Sequence, residues 1–275
     1  MRLERFRDAK AGEIEVLRRA EVAGILPKPW EGPRPDFAAA LAARPSRGPL
    51  NVVAEYKRAS PSKGVICEAL DVEAVARQYA EAGAAALSIL TEEEWFRGDL
   101  AFLARASRVL EAAGGPELPL LRKDFIFDAL QVRATAATPA SALLLIVRLT
   151  PEAQVLRALR EQAESYGMAA VVEVFDADDL ALARESGARI IQVNARDLES
   201  LKVDREAPLA LIREHPPLPG EIWIAASGMD SFAHLARAAD AGYQAALVGT
   251  ALMARGEPGA ALARLLAGEA THADY

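Results

Sequence analysis

The chain has little of what several function classes require. Among 275 residues there is a single cysteine, Cys67, so neither an intramolecular disulfide nor a cysteine zinc cluster can form. The three histidines, His215, His234 and His272, are scattered without ligand-like spacing, and each reads as a surface or packing residue. No metal site is expected. No apolar run approaches the roughly 20 residues that cross a bilayer; the longest lies around residues 142–147. The opening MRLERFRDAK is charged and lacks the apolar core of a secretory leader. Basic charge is in deficit: 32 Lys and Arg stand against 39 Asp and Glu, a net charge of −7. That balance argues against nucleic acid or an anionic membrane as the main partner. A phosphorylated metabolite stays open, because a local basic cluster can sit inside an acidic protein. A cytoplasmic protein acting on a small molecule, as a monomer or weak oligomer, is the expectation.

What the chain has is rhythm. With 52% hydrophobic residues it can bury a large core. Apolar runs recur at 52–56, 85–90, 119–123, 142–147, 169–174, 189–194, 222–227 and 244–249. Helical patterns fill the intervals. Asp71, Asp128, Asp176 and Ser231 stand where helix caps belong. Thr150 is expected to cap a further helix, with Pro151 in its first position. Glycine closes three of the helices, at Gly83, Gly187 and Gly242, each just before an apolar run. Near-continuous apolar strands alternating with helices indicate a parallel sheet covered on both faces. Eight such units give an α/β (β/α)8 TIM barrel. Residues 1–48, with helices expected at 5–23 and 37–43, form an N-terminal helical extension to one domain whose eight βα units occupy 49–275. An open doubly wound sheet is the alternative, but no G-x-G-x-x-G follows the first strand.

In such barrels the chemistry gathers at the C-terminal ends of the strands. Polar residues that break these apolar runs near their ends are therefore the candidates. The first run breaks at Glu55 and Lys57, two apart and so on one face of a strand. A polar loop follows, with Ser60, Pro61, Ser62, Lys63 and Gly64. The third run, PLLRK, is expected to end at Lys123, just before Phe125. The fifth holds Glu173 between valines, a carboxylate that needs a partner. The sixth ends at Asn194, with Arg196 two further on. Each of these has an ordinary reading as a solvated loop charge; together they place two carboxylates, two lysines, an arginine and an amide on one rim. The seventh and eighth runs end in Ser227-Gly228 and Gly249-Thr250. Glycine–hydroxyl turns at those two places are suited to phosphate, because backbone N–H groups can approach its oxygens.

Seven segments together resemble the indole-3-glycerol-phosphate synthase family of tryptophan biosynthesis: AEYKRASPSKG, SILTEEEWFRG, PLLRKDF, VVEVFD, VNARDL, ASGM and LVGTALM. The resemblance covers nearly the whole chain, including the helices before the first strand. It implies closure of an indole ring from an anthranilate-derived aminodeoxyribulose phosphate, with loss of carbon dioxide and water and no cofactor. It implies Lys123 as general acid, Glu173 as general base for the dehydration, and Glu55 as their organiser. Lys57 would reach the phosphate or carboxylate and share proton transfer. Asn194, Arg196 and Ser60 would hold the carboxylate side; Pro61, Phe96, Phe125 and Leu198 would wall the aromatic ring; Ser227, Gly228, Gly249 and Thr250 would bind phosphate. Association with other enzymes of the pathway is a further expectation. Two positions depart from the family. Ala226 stands where a glutamate is usual, which removes a carboxylate from the rim. Ala195 replaces a residue that is often polar. Two other readings remain: a different phosphosugar barrel, such as an isomerase or a Schiff-base aldolase using Lys123, and a catalytically silent phosphate-binding barrel.

Overall fold

The computed structural model describes residues 3–114, 118–198 and 200–269; His272 lies outside them. Eight parallel strands close into a barrel: β1 (Asn51–Tyr56), β2 (Ala86–Leu90), β3 (Leu120–Ile126), β4 (Ala142–Ile146), β5 (Ala169–Val174), β6 (Ile190–Asn194), β7 (Ile222–Ala226) and β8 (Ala245–Val248). Each pairs with the next, and β8 returns to β1 with Asn51 opposite Ala245. The strands are short and buried because both faces carry apolar residues, one turned to the barrel axis and one to the helices.

Two helices precede the barrel, α1 (Leu3–Val22) and α2 (Phe37–Ala42). Asp36 caps α2 by accepting from the Ala39 N–H at 2.9 Å. Phe37 and Leu41 of α2 join the inner cluster made by Val53, Leu121, Val171 and Ile224, so α2 packs onto the barrel interior. Asn51, at the start of β1, donates its side-chain amide to the carbonyls of Leu41 and Ala43 and ties that helix end down. Helix α1 reaches the site instead: Phe6 stacks on Phe125 with ring centroids 3.9 Å apart.

The outer layer is α3 (Val72–Ala82), α4 (Ala101–Ala112), α5 (Ala129–Ala136), α6 (Ala153–Ser165), α7 (Ala177–Glu185), α8 (Glu206–Glu214), α9 (Phe232–Ala241), the short α10 (Thr250–Met253) and α11 (Pro258–Ala267). Asp71, Asp128, Asp176 and Ser231 cap their helices as expected. Gly83 and Gly242 end α3 and α9 with φ of 95° and 107°, a conformation that costs other residues a Cβ clash.

Two expectations fail. Helix α6 begins at Ala153, and Thr150 does not cap it; its buried hydroxyl turns back to the Ile146 carbonyl at 3.2 Å. A short 3-10 turn over Val147–Leu149 follows the strand directly and places Thr150 at its end, three residues before the helix. Strand β3 also runs past Lys123 to Ile126, with a register shift against β4 between Arg122 and Ile126. The strand continues through Arg122 and Asp124 because α1 supplies counter-charges. Lys10 meets Asp124 at 2.7 Å, and Glu13 meets Arg122 at 3.0 Å.

Candidate active site

The C-terminal ends of the strands open into a cavity of about 550 Å³. That is within the range of small-molecule sites, roughly 300–1,000 Å³. All the residues singled out on the rim line it: Glu55, Lys57, Ser60, Pro61, Phe96, Lys123, Phe125, Glu173, Asn194, Arg196, Leu198, Ser227, Gly228, Gly249 and Thr250.

Two cation–carboxylate pairs form its polar floor. Lys57 Nζ lies 2.8 Å from Glu55 Oε1, and Ser88 donates to the other Glu55 oxygen at 3.3 Å. Burial pushes the Glu55 carboxyl up, but Lys57 and Lys123 outweigh it and hold the group below its ordinary value. Glu55 is therefore ionised and anchors Lys57. The second pair is looser: Lys123 Nζ stands 3.8 Å from Glu173 Oε2. That oxygen also accepts a hydrogen bond from Gln192 Nε2. A lysine held close to a carboxylate without a short bond to it is free to turn toward a ligand.

The wall opposite is built by the segment after β6. Asn194 Oδ1 accepts from the Arg196 N–H at 3.0 Å, and the Arg196 guanidinium donates to the Leu201 carbonyl at 2.8 Å. Burial lowers the Arg196 pKa, with Glu55 opposing that shift. The aromatic wall is Phe96 and Phe125, with ring centroids 6.2 Å apart.

Each candidate phosphate turn has a geometric cause. Ser227 and Gly228 both adopt positive φ, 67° and 74°. A side chain at Gly228 would strike Val203 at 2.9 Å and Arg205 at 3.0 Å. Arg205 donates to the Gly228 carbonyl at 2.9 Å and pairs with Asp230 at 2.6 Å, which fixes the turn from outside. Gly249 is glycine for another reason: a Cβ there would lie 2.4 Å from Glu55 Oε1. Its bareness makes room for the Glu55 carboxylate, so any larger residue would displace that group.

The family model for indole-3-glycerol phosphate synthase matches residues 3–265. The chain belongs to the indole-3-glycerol phosphate synthase family. An indole-3-glycerol phosphate synthase of Desulfotalea psychrophila is 40% identical over 96% of this chain and 97% of its own. One of Koribacter versatilis is 42% identical over 84% of this chain and 85% of its own. Among solved structures, a 3-hexulose-6-phosphate synthase aligns with a TM-score of 0.61 at 17% identity, over 80% of this chain and all of its own. That likeness speaks for the barrel alone. The isomerase and aldolase alternatives gain no support from the family or from the named relatives.

Ala226, the departure from the family pattern, is buried, lines the cavity and stands beside Asn194 across the β6–β7 ladder. Ala195 is buried too, and its N–H donates to the Ala226 carbonyl. Three residues of the site escaped the sequence reading. Glu92 is buried and accepts from the N–H groups of Glu94, Trp95 and Phe96, shaping the loop that presents Phe96. Arg205 carries no periodic signal, since it precedes α8 in a turn. Gln192 did carry a signal: it interrupts IIQVN two residues before Asn194, as Glu173 interrupts its own strand.

Proposed function

We propose that this enzyme converts 1-(2-carboxyphenylamino)-1-deoxyribulose 5-phosphate to indole-3-glycerol phosphate at this rim. The observation that carries the reading is the facing of Lys123 and Glu173 at 3.8 Å beside the Glu55–Lys57 pair, inside one cavity.

The ring carbon that bears the carboxylate attacks the ketone carbon, forming the new carbon–carbon bond. Lys123 gives a proton to the ketone oxygen as it becomes a hydroxyl. The carboxylate then leaves as carbon dioxide, and its bonding pair restores the aromatic ring. The hydroxyl next departs as water, protonated from the lysine side, while Glu173 removes the proton whose loss leaves the indole double bond. General acid and base groups of this kind each contribute about 10²- to 10⁴-fold.

Glu55 pairs with Lys57 and organises the acid–base set. Lys57 serves the phosphate or carboxylate and shares the proton traffic. Asn194, Arg196 and Ser60 hold the carboxylate until it is lost. Pro61, Phe96, Phe125 and Leu198 enclose the ring and keep water from it. Ser227, Gly228 and Thr250 bind the phosphate, with Gly249 giving backbone approach. Residues 1–48 act as an extension of a single barrel domain, and the enzyme works in the cytoplasm as a monomer or weak oligomer.

The test is turnover of the anthranilate-derived substrate, read by indole fluorescence. Product formation with release of one carbon dioxide is expected. Substrate binding without turnover would establish a silent barrel, and trapping of Lys123 by borohydride with a ketose phosphate would establish an aldolase.

A further inference from the structure

Two glutamine side chains, Gln131 and Gln192, are completely buried among the described residues, and their surroundings treat them differently. Gln131 is satisfied at both ends. Its oxygen accepts from the N–H groups of Phe127 and Asp128, and its nitrogen donates to the Phe125 carbonyl. Gln192 is satisfied at one end only. Its Nε2 donates to Glu173, while its Oε1 meets no donor among the described residues. A buried amide with an unpaired oxygen is a poor stabiliser; an apolar side chain of the same shape would serve the sheet better.

What the amide does accomplish is local. It is bonded to Glu173 Oε2, the same oxygen that stands 3.8 Å from Lys123 Nζ. Gln192 and Glu173 are direct neighbours across the β5–β6 ladder. On the other side of Glu173 the ladder brings Ile146, and beyond Gln192 it brings Ile224, both apolar. The groups that face Glu173 are therefore Lys123 from β3 and the amide from β6, with the Glu55–Lys57 pair of β1 on the same cavity floor.

We propose that Gln192 is a positioning residue for this reaction. Its amide holds Glu173 Oε2 in place and aims it at the cavity, so that the oxygen stands ready as a base. Gln192 does not line the cavity and acts through Glu173 alone. The proposal rests on Glu173 serving as the base.

Gln192→Met keeps the volume and removes the donor. A base displaced by a fraction of an ångström loses rate more than affinity, so kcat should fall about ten- to a hundredfold with KM nearly unchanged. Gln192→Asn, one methylene too short to reach Glu173, should fall in kcat in the same way and decides the matter if the Met variant does not fold.

The reference is Glu173→Gln. If Gln192 works only through Glu173, adding Gln192→Met to Glu173→Gln costs little more, whereas a merely structural role adds its full loss. Wild-type kcat in folded Gln192→Met, or full additivity in the double variant, overturns the proposal while leaving Glu173 as base. Retained activity in Glu173→Gln overturns both.

Discussion

The two faces of strand β3 carry charges that are handled in opposite ways. On the outer face Asp124 is held by Thr91 at 2.5 Å, Lys10 at 2.7 Å and Arg122 at 2.8 Å. Arg122 is in turn held by Glu13, Thr91 and Thr135. On the inner face Lys123 stands 3.8 Å from the Glu173 carboxylate with an open cavity before it. The outer group is dry, closely bonded and committed: it fastens α1 to the barrel. The inner group is partly exposed and uncommitted, which is what a proton donor requires. One residue of displacement along a strand separates architecture from chemistry, because successive side chains point to opposite faces.

The largest way to break this contrast is on the inner face. Lys123→Ala should lower kcat about 10²- to 10⁴-fold, with little change in melting temperature. A folded variant that keeps more than about a tenth of kcat would move the acid role to Lys57.

The outer face should respond in the opposite sense. Asp124→Ala removes the fully buried carboxylate that Lys10 and Arg122 share and leaves both to the more exposed Glu13, which should destabilise the fold by about 3–5 kcal/mol. Urea unfolding measures it, and a loss below about 1 kcal/mol would show that the network is dispensable.

Acid sharpens the same distinction. Asp124 feels burial, which raises its carboxyl, but Arg122 and Lys10 prevail and hold it below its ordinary value of 3.8. A carboxyl depressed in the folded state binds fewer protons there than in the unfolded chain. Its contribution to stability is complete above the ordinary value and is lost as pH falls through the folded one. Stability should therefore drop as pH falls below about 4, and Asp124→Asn should flatten that drop. Identical slopes for the two proteins in acid denaturant melts would contradict the assignment.

The smallest effect belongs to the phosphate turn. Ser227→Gly relieves a serine at φ 67° and removes one hydroxyl. Melting temperature should hold or rise. The Kd for inorganic phosphate should increase about two- to tenfold, the worth of one hydrogen bond. Unchanged phosphate affinity, read by calorimetry, would remove the Ser227 hydroxyl from the phosphate site. Gly249 is the wrong position for this test, since any Cβ there meets the Glu55 carboxylate.

The sequence by itself determined the barrel and the rim. Alternating apolar runs and capped helices report local preferences that tertiary packing here reinforces, and polar residues breaking an apolar strand stand out wherever they occur. Glu173 was legible for that reason, and Gln192 carried the same mark two residues before Asn194. Tertiary structure decided what depends on residues far apart in the chain. Thr150 looked like a cap, yet a 3-10 turn placed its hydroxyl on Ile146. Lys123 looked like a strand end, yet Lys10 and Glu13, more than a hundred residues earlier, neutralise Arg122 and Asp124 and let the strand continue. Gly249 looked like a phosphate turn, and only the closed barrel, which sets β8 beside β1, shows that it also makes room for Glu55. Local patterns record which elements form; the partners that make a buried charge tolerable, or a glycine necessary, are fixed only when the barrel closes.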